Sequence, residues 1–523
     1  MMATRVSDMA SFAQEIRRAG FTHVVLLGMG GSSLCPEVLQ ATFGAAPGYP
    51  TLLVLDSTDP SRVRTVERSI ALGTTLFIVS SKSGGTIEVL SFYRYFADRV
   101  RTQHKGRAPG SQFIAITDPG TSLEKMAKQD GFRRIFINPP DVGGRFSALS
   151  YFGLVPAALI GLDVAALMAR AQGMAGACGA GMRAAQNPGV WLGGVLGALA
   201  AAGRDKVTFV VDKRMQSFGL WVEQLVAEST GKEGKGVVPI EGETLGEPSV
   251  YGNDRVFVWL RVGTRAAGLT QQRLQRLERA GHPVIRLTLG DTLDLGAEFL
   301  RWEIATVVLS ALLGINPFDE PNVKESKDNT ARLLESHQSL GRLPQGPPIL
   351  EVAGLRLIAD AQTARVLAGA RGSLAEALRL HAQQARAGDY AAITAYLETT
   401  PARERLLQSL RLSWRDRLRI ATTIGYGPRF LHSTGQLHKG GPASGLFLQI
   451  IGGDEDDLSI PGAPYSFGTL KQAQALGDFQ SLQSKQRRVV RVLLGSDVEA
   501  GLRALAQAGR AGTARRARVK TAK

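Results

Sequence analysis

The chain has 523 residues, room for two to four domains, and its 44% hydrophobic and 21% charged residues are ordinary for a soluble globular protein. No apolar run reaches the ~18–20 residues of a membrane span, and the N-terminal MMATRVSDMASFAQEIRRAG carries acids and no apolar block, unlike a secretory leader. The net charge of +16 brings nucleic acid to mind, but six Lys or Arg and no acid crowd the last fourteen residues, RAGTARRARVKTAK, and the rest are scattered without interleaved aromatics, which reads as a solvated basic tail.

The two cysteines, Cys35 and Cys178, are too few for a disulfide framework and lack metal-ligand spacing, so a reducing cytoplasm is the expected compartment and no metal is expected. The first third alternates strands and helices. THVVLLGM (22–29), TLLVLDS (51–57), TTLFIVSS (74–81), SQFIAITD (111–118) and FRRIFIN (132–138) are buried-strand runs with helical patterns between them. After a helical stretch at about 150–203 the pattern restarts with KVTFVVD (206–212), GVVPIE (236–241), RVFVWLRV (255–262) and PVIRLTL (283–289), with helices at SFGLWVEQLVAEST and AEFLRWEIATVVLSALLG. Continuous apolar strands separated by helices predict an α/β fold of two tandem, doubly wound parallel-sheet units, 1–165 and 166–330. Beyond them EALRLHAQQARAGDYAAITAYLETT reads as helical, and LRIATTIGY and GLFLQIIG read as strands flanking a loop rich in glycine and histidine. This predicts a smaller C-terminal α/β region over 331–490, then a helix and basic tail over 491–523.

Five polar clusters punctuate this frame. GMGGSS (28–33) and SSKSGGT (80–86) are both strand-to-helix turns. Glycines admit a ligand to the backbone, and free N–H groups with hydroxyls favour an anion such as a phosphate; capping by Ser or Thr alone is the plainer reading. Neither turn has a dinucleotide fingerprint or a Walker lysine. In DVGGRFSALS (141–150), Arg145 follows two glycines, as an oxyanion-stabilising guanidinium or as a solvated turn residue. In EQLVAESTGK (223–232), Gln224 and Glu228 share a helix face, and Glu228 sits near the helix end, where the dipole favours a stronger base; an ordinary surface glutamate is the alternative. The last two are NPFDEPNVKESK (316–327) and GPRFLHSTGQLHKGGP (427–442), whose two histidines fit a functional loop better than a metal site, since no ligand set surrounds them.

Taken together these motifs resemble the phosphoglucose isomerase family, built from two sugar-isomerase (SIS) domains. Gly28-Met29-Gly30-Gly31-Ser32 matches its first phosphate turn and Ser81 to Glu88 its second, Gly143 to Ser147 matches its G-G-R-[FY]-S signature, Gln224 to Lys232 its Q-x-x-x-E-S-x-G-K helix, and Phe318 to Lys327 echoes its F-D-Q-x-G-V-E-x-x-K block. The motifs run in order over about residues 22–330. LHSTGQLHKGGP and SFGTLKQAQALGD (466–478) look like the isomerase half of bacterial transaldolase–phosphoglucose isomerase fusions, encoded alone or cut out.

The resemblance implies interconversion of glucose 6-phosphate and fructose 6-phosphate, without metal or organic cofactor, in a cytoplasmic homodimer that binds neither nucleic acid nor membrane. It implies Glu228 as the base, Arg145 with the backbone of Gly144 at the enediolate, and Gly31, Ser32, Ser81, Lys82, Ser83 and Thr86 around the phosphate. Gln224 and Lys327 then contact the sugar, Lys327 assisting ring opening. Two positions depart from the family. Glu320 stands for the usual glutamine at the substrate, and Asp254 stands where the ring-opening histidine is expected. An ordinary aspartate is ionised at neutral pH and a histidine is the better proton shuttle, so His438 is the first candidate, with His432 and His337 behind it. The competing functions are a non-catalytic SIS sugar-phosphate sensor, which would lack a Gln224/Glu228 pair, and an isomerase acting on both glucose and mannose phosphates.

Overall fold

The runs of Val, Ile, Leu and Phe in the first unit form strands covered on both faces, and they pair only in parallel. In the computed structural model, which describes residues 2–103, 109–264, 268–454 and 456–511, these are β1 (His23–Gly28), β2 (Thr51–Leu55), β3 (Thr75–Ser80), β4 (Phe113–Thr117) and β5 (Arg134–Ile137). They stand in the order β2-β1-β3-β4-β5. The second unit holds β6 (Lys206–Val211), β7 (Val238–Ile240), β8 (Arg255–Val262) and β9 (Val284–Leu289), parallel in the order β7-β6-β8-β9. The tandem α/β reading is therefore borne out, strand for strand. The basic tail from 512 on lies outside the described residues. Among the described residues no helix is long and apolar enough to cross a membrane.

The C-terminal part is a larger sheet than expected. β10 (Leu350–Val352), β11 (Leu355–Ala359), β12 (Tyr390–Tyr396), β13 (Ala421–Tyr426), β14 (Gly445–Ile451) and β15 (Arg488–Leu493) are ordered β10-β11-β15-β14-β12-β13. β12 to β15 are parallel, and β10 and β11 form an antiparallel edge. The stretch 376–400, expected to be helical throughout, is helix only to Ala382; Gly388, at φ +83°, turns the chain and YAAITAY becomes a fully buried strand. Its alanines suit a helix equally well, and a strand buried on both faces shows no alternation to betray it. The expected limits at 330 and 490 fall inside a helix, Pro321–Leu340, and inside β15.

This third sheet is locked to the other two by buried charges. Lys471, wholly buried, joins Asp454 of its own region to Asp59 beyond β2, at 2.9 Å. Arg429 bridges Glu37 and Asp56 of the first unit, and Arg411 donates to the carbonyl of Glu241 in the second. The ring of Phe467 packs on Phe92, centroids 5.8 Å apart. Breaking a buried ion pair by removing one partner costs about 3–5 kcal/mol. Lys471→Met should therefore lower the unfolding free energy of the first urea transition by that order, and with it the midpoint, while far-UV circular dichroism of the native state is unchanged. A midpoint equal to the parent's would show that this lysine does not hold the regions together.

Candidate active site

In the first sheet the chain leaves β1 toward one edge and β3 toward the other, so the turns after these two strands flank the crevice where such sheets take ligands. Gly28 is in register with Ser80, and the two glycine- and hydroxyl-rich turns leave the sheet side by side. In the first turn a Cβ on Gly31 would lie 2.1 Å from the carbonyl oxygen of Gly144, so glycine is what lets the GGRFS loop close against it. Gly30, at φ +55°, does the same for the Gln224 amide and the His432 carbonyl, each 2.9 Å from where its Cβ would be. Ser32 is nearly buried. In the second turn the Ser81 hydroxyl pairs with that of Thr86 at 2.9 Å and accepts from the Gly84 N–H at 3.1 Å. Ser83 and Gly85 are exposed in front of the Ile87–Gln103 helix, whose first N–H groups and dipole point the same way. Lys82 is already paired with Asp118 and donates to the Pro140 carbonyl at 3.2 Å.

Three further elements close on these turns. Arg145, buried, donates through Nη1 and Nη2 to the Asp319 carbonyl at 3.4 Å and through Nη2 to Glu320 at 2.8 Å. The loop that offers these groups is held by Lys232, whose buried ammonium donates to the Asn316 carbonyl at 2.7 Å and to the Asp319 carboxylate at 2.6 Å. Glu228, also buried, ends the Phe218–Thr230 helix and accepts from the Gln224 amide at 3.0 Å. Burial pushes its carboxyl above the usual range; Arg145 and Gln224 pull it back, Glu320 adds to the rise, and His432 opposes it. Glu228, Arg145, Glu320 and His432 thus lie within one electrostatic neighbourhood.

The histidine brought here is His432, not His438. The Gln224 amide donates to the His432 carbonyl at 2.7 Å, and the His432 Nε2 lies 2.9 Å from the Glu88 carboxylate. Burial raises Glu88, yet the charge and hydrogen bond of His432, with Lys327 nearby, more than reverse this and leave it below the ordinary glutamate range. Glu88 is thus an acceptor only, so Nε2 carries the proton and Nδ1 is left for other work. Glu88, His432 and Lys327 line one cavity together with Thr86 of the second turn. His438 instead sits in the hydrophobic interior, its ring 5.1 Å from Phe447 and 5.8 Å from Phe430. Burial, then Lys439 and Arg487, keep that ring neutral, far below the usual histidine range. The expectation for His438 is thereby corrected: the loop does reach the site, but six residues earlier. Asp254 is 3.8 Å from Lys206, away from this cluster. His337 lies ten residues beyond Lys327 on the same helix, about 15 Å along it.

Glu88, Gln436 and Gln474 went unassigned in the sequence. Gln436 is fully buried; its carbonyl accepts from the Asn322 N–H at 2.8 Å and its amide donates to the Gly231 carbonyl at 2.9 Å, clamping the start of the Lys327 helix to the end of the Glu228 helix. Only membership of the quoted segments pointed to these residues. A second cavity, lined by Glu37, Asp56, Glu241, Glu404, Arg411 and Arg429, lies between the three sheets. Arg62 also lines it, so four carboxylates face three guanidiniums there. Among the described residues no group of three or more His, Cys, Asp or Glu is placed to hold a metal ion.

The sequence model described as "Phosphoglucose isomerase" matches residues 6–267, half of the chain. A probable glucose-6-phosphate isomerase of Methanococcus maripaludis is 27% identical over 345 residues, covering 59% of this chain and 77% of its own. The glucose-6-phosphate isomerase of Rubrobacter xylanophilus is 29% identical over 368 residues, covering 60% and 83%. Among solved structures, a hypothetical protein of Thermus thermophilus superposes with a TM-score of 0.55 at 25% identity, over 63% of this chain and 90% of that one. A glucose-6-phosphate isomerase of Chlamydia trachomatis gives 0.54 at 20% identity, over 64% and 74%, a likeness of fold. With its two parallel sheets and the motifs in place at their strand ends, this chain belongs to the phosphoglucose isomerase family.

Proposed function

We propose that the protein is a glucose-6-phosphate isomerase, with Glu228 as the base that moves a proton between C2 and C1. The observation that carries the reading is the meeting of a buried, basicity-raised Glu228 with Arg145 and His432 beside the two hydroxyl turns. A sensor needs the turns but not this cluster. The phosphate binds at the second turn, to Ser83, Thr86 and the N–H groups of the Ile87–Gln103 helix, with Ser32 and Ser81 shaping the floor. Ring opening puts a proton on the ring oxygen and takes one from the C1 hydroxyl. A single imidazole does both in turn, accepting at Nδ1 and then donating, while Glu88 holds Nε2. Glu228 then removes the C2 proton, Arg145 and the N–H of Gly144 stabilise the enediolate charge on O1, the O2 hydroxyl proton passes to O1, and Glu228 returns its proton to C1. Lys327 contacts the sugar beside His432. No metal or organic cofactor enters these steps. The family resemblance, and the LHSTGQLHKGGP and SFGTLKQAQALGD segments, extend the proposal to a cytoplasmic homodimer akin to the isomerase half of transaldolase fusions.

Glu228→Gln keeps the shape and the Gln224 contact but removes the proton acceptor. Turnover in a coupled fructose 6-phosphate assay should fall by about 10²–10⁴-fold, and wild-type turnover would exclude Glu228 as the base. The same base must be ionised to act, and its carboxyl is raised by burial. The acid limb of kcat/KM should accordingly lie above the ordinary carboxylate range near ~4.3, activity falling as pH drops through it. Removing the positive partner by Arg145→Gln should move that limb still higher. His432→Gln should slow turnover of the cyclic sugar phosphate by about 10²-fold or more and leave proton exchange on an open-chain analogue near wild type. Equal losses on both substrates would take ring opening away from His432.

A further inference from the structure

Glu88 receives a second donor that the reaction scheme leaves unexplained. The same carboxylate oxygen that takes His432 Nε2 at 2.9 Å also accepts from the Gln474 amide at 2.7 Å. Gln474 is 2% exposed, lies on the Phe467–Ser484 helix, and comes to Glu88 across 386 residues of chain. Its own orientation is determined: the Glu88 carboxylate can only accept, so the amide nitrogen faces it, and the Thr58 hydroxyl, wholly buried behind β2, then donates to the Gln474 carbonyl oxygen at 2.8 Å. The row Thr58–Gln474–Glu88–His432 therefore passes between the first unit and the third region three times. Every donor in it runs in one sense up to the carboxylate, and the whole ends at the imidazole that lines the cavity.

We propose that Gln474 is a positioning residue for His432: by sharing the Glu88 oxygen it fixes the rotamer of that carboxylate and limits how strongly it draws the imidazole proton. This rests on the reading of His432 as the ring-opening group. A carboxylate oxygen with one donor is a stronger acceptor than one with two. Without Gln474 the charge of Glu88 falls on His432 alone, the imidazolium is held more tightly, and the ring loses a fixed orientation toward the sugar. The other ionisable groups facing this pair are Lys327 and Glu228, with Tyr465 near Glu88. None is hydrogen-bonded to Gln474, so their influence on His432 is common to parent and variant.

The test uses the full chain with Gln474→Met, which keeps length and bulk, and Thr58→Val, which leaves Gln474 in place but takes away the donor that steadies its carbonyl oxygen. Histidine-labelled protein is titrated by NMR, and turnover is measured on cyclic glucose 6-phosphate and on an open-chain analogue. In Gln474→Met the midpoint of the His432 ring titration should rise, kcat on the cyclic sugar should fall about 10–100-fold, and KM and the open-chain rate should stay within twofold. Thr58→Val should move the same quantities in the same direction by less, and it carries the test if Gln474→Met does not fold. A His432 titration and cyclic kcat unchanged in the folded variant, while His432→Gln is inactive on the cyclic sugar, would overturn the role of Gln474 and leave that of His432 intact. Full activity of His432→Gln would remove both.

Discussion

A buried carboxylate with two donors on one oxygen ties the first unit of this chain to its third region. Glu88 stands in the first turn of a helix that follows β3, where the dipole and the nearby N–H groups already favour an anion. Burying it costs several kcal/mol unless the charge is met. The first unit meets it only in part, through the backbone at Glu88 itself; its side-chain partners His432 and Gln474 come from 344 and 386 residues away. Only with the third region seated is this group satisfied, so the same contacts that stabilise the carboxylate also deliver the imidazole to the cavity. Packing and the assembly of the site are here one event.

The surrounding charges explain why that seat is firm. Lys471 and Arg429 reach from the third region into the first unit and Arg411 reaches into the second, and each is buried or half-buried. Such groups are weak sources of net stability but strict on geometry, because any displacement leaves a charge unpaired. Gln436 adds neutral clamps between the ends of two site helices. Position is thereby over-determined around the proposed ring-opening group. For proton transfer this matters more than affinity, since the transfer is steep in distance and alignment.

Much of this was legible in the residues and some was not, for separable reasons. Most strands of the first two units announce themselves as apolar runs closed by Gly, Asp or Ser. The two hydroxyl turns, Arg145 and the Gln224/Glu228 face are local patterns, readable within ten residues each. The histidine was not. His432 and His438 share one loop and near-identical neighbours, and what separates them is whether the facing surface is Glu88 or a set of aromatic rings. That surface belongs to other parts of the chain. The same holds for YAAITAY, whose alanines serve a helix as well as a strand until β13 and β14 flank it, and for Gln474, one of four glutamines between 472 and 483 with nothing local to distinguish it.

Glu320, where the family usually has glutamine, completes the electrostatic account. Arg145 is buried and would be a costly lone cation. Its backbone acceptor is the Asp319 carbonyl at 3.4 Å, and its hydrogen-bonded ionic partner among the described residues is Glu320 at 2.8 Å. Glu320 is 46% exposed at its side chain, whereas Arg145 is 5% exposed. An exposed carboxylate can swing into water at a cost of about 0–1 kcal/mol, while the buried guanidinium stays where the Asp319 carbonyl and the packing keep it. In the proposed reaction the donor is thus fixed in advance and only its counter-ion has to leave. A glutamine would take away the hydrogen-bonded counter-ion of the guanidinium and leave it the more distant charge of Glu228 until the enediolate formed. The glutamate keeps Arg145 neutralised at rest, and its charge beside Glu228 raises the proposed base further toward neutral pH. The two effects act in the same sense: the charge that guards the oxyanion site between turnovers also makes the base stronger.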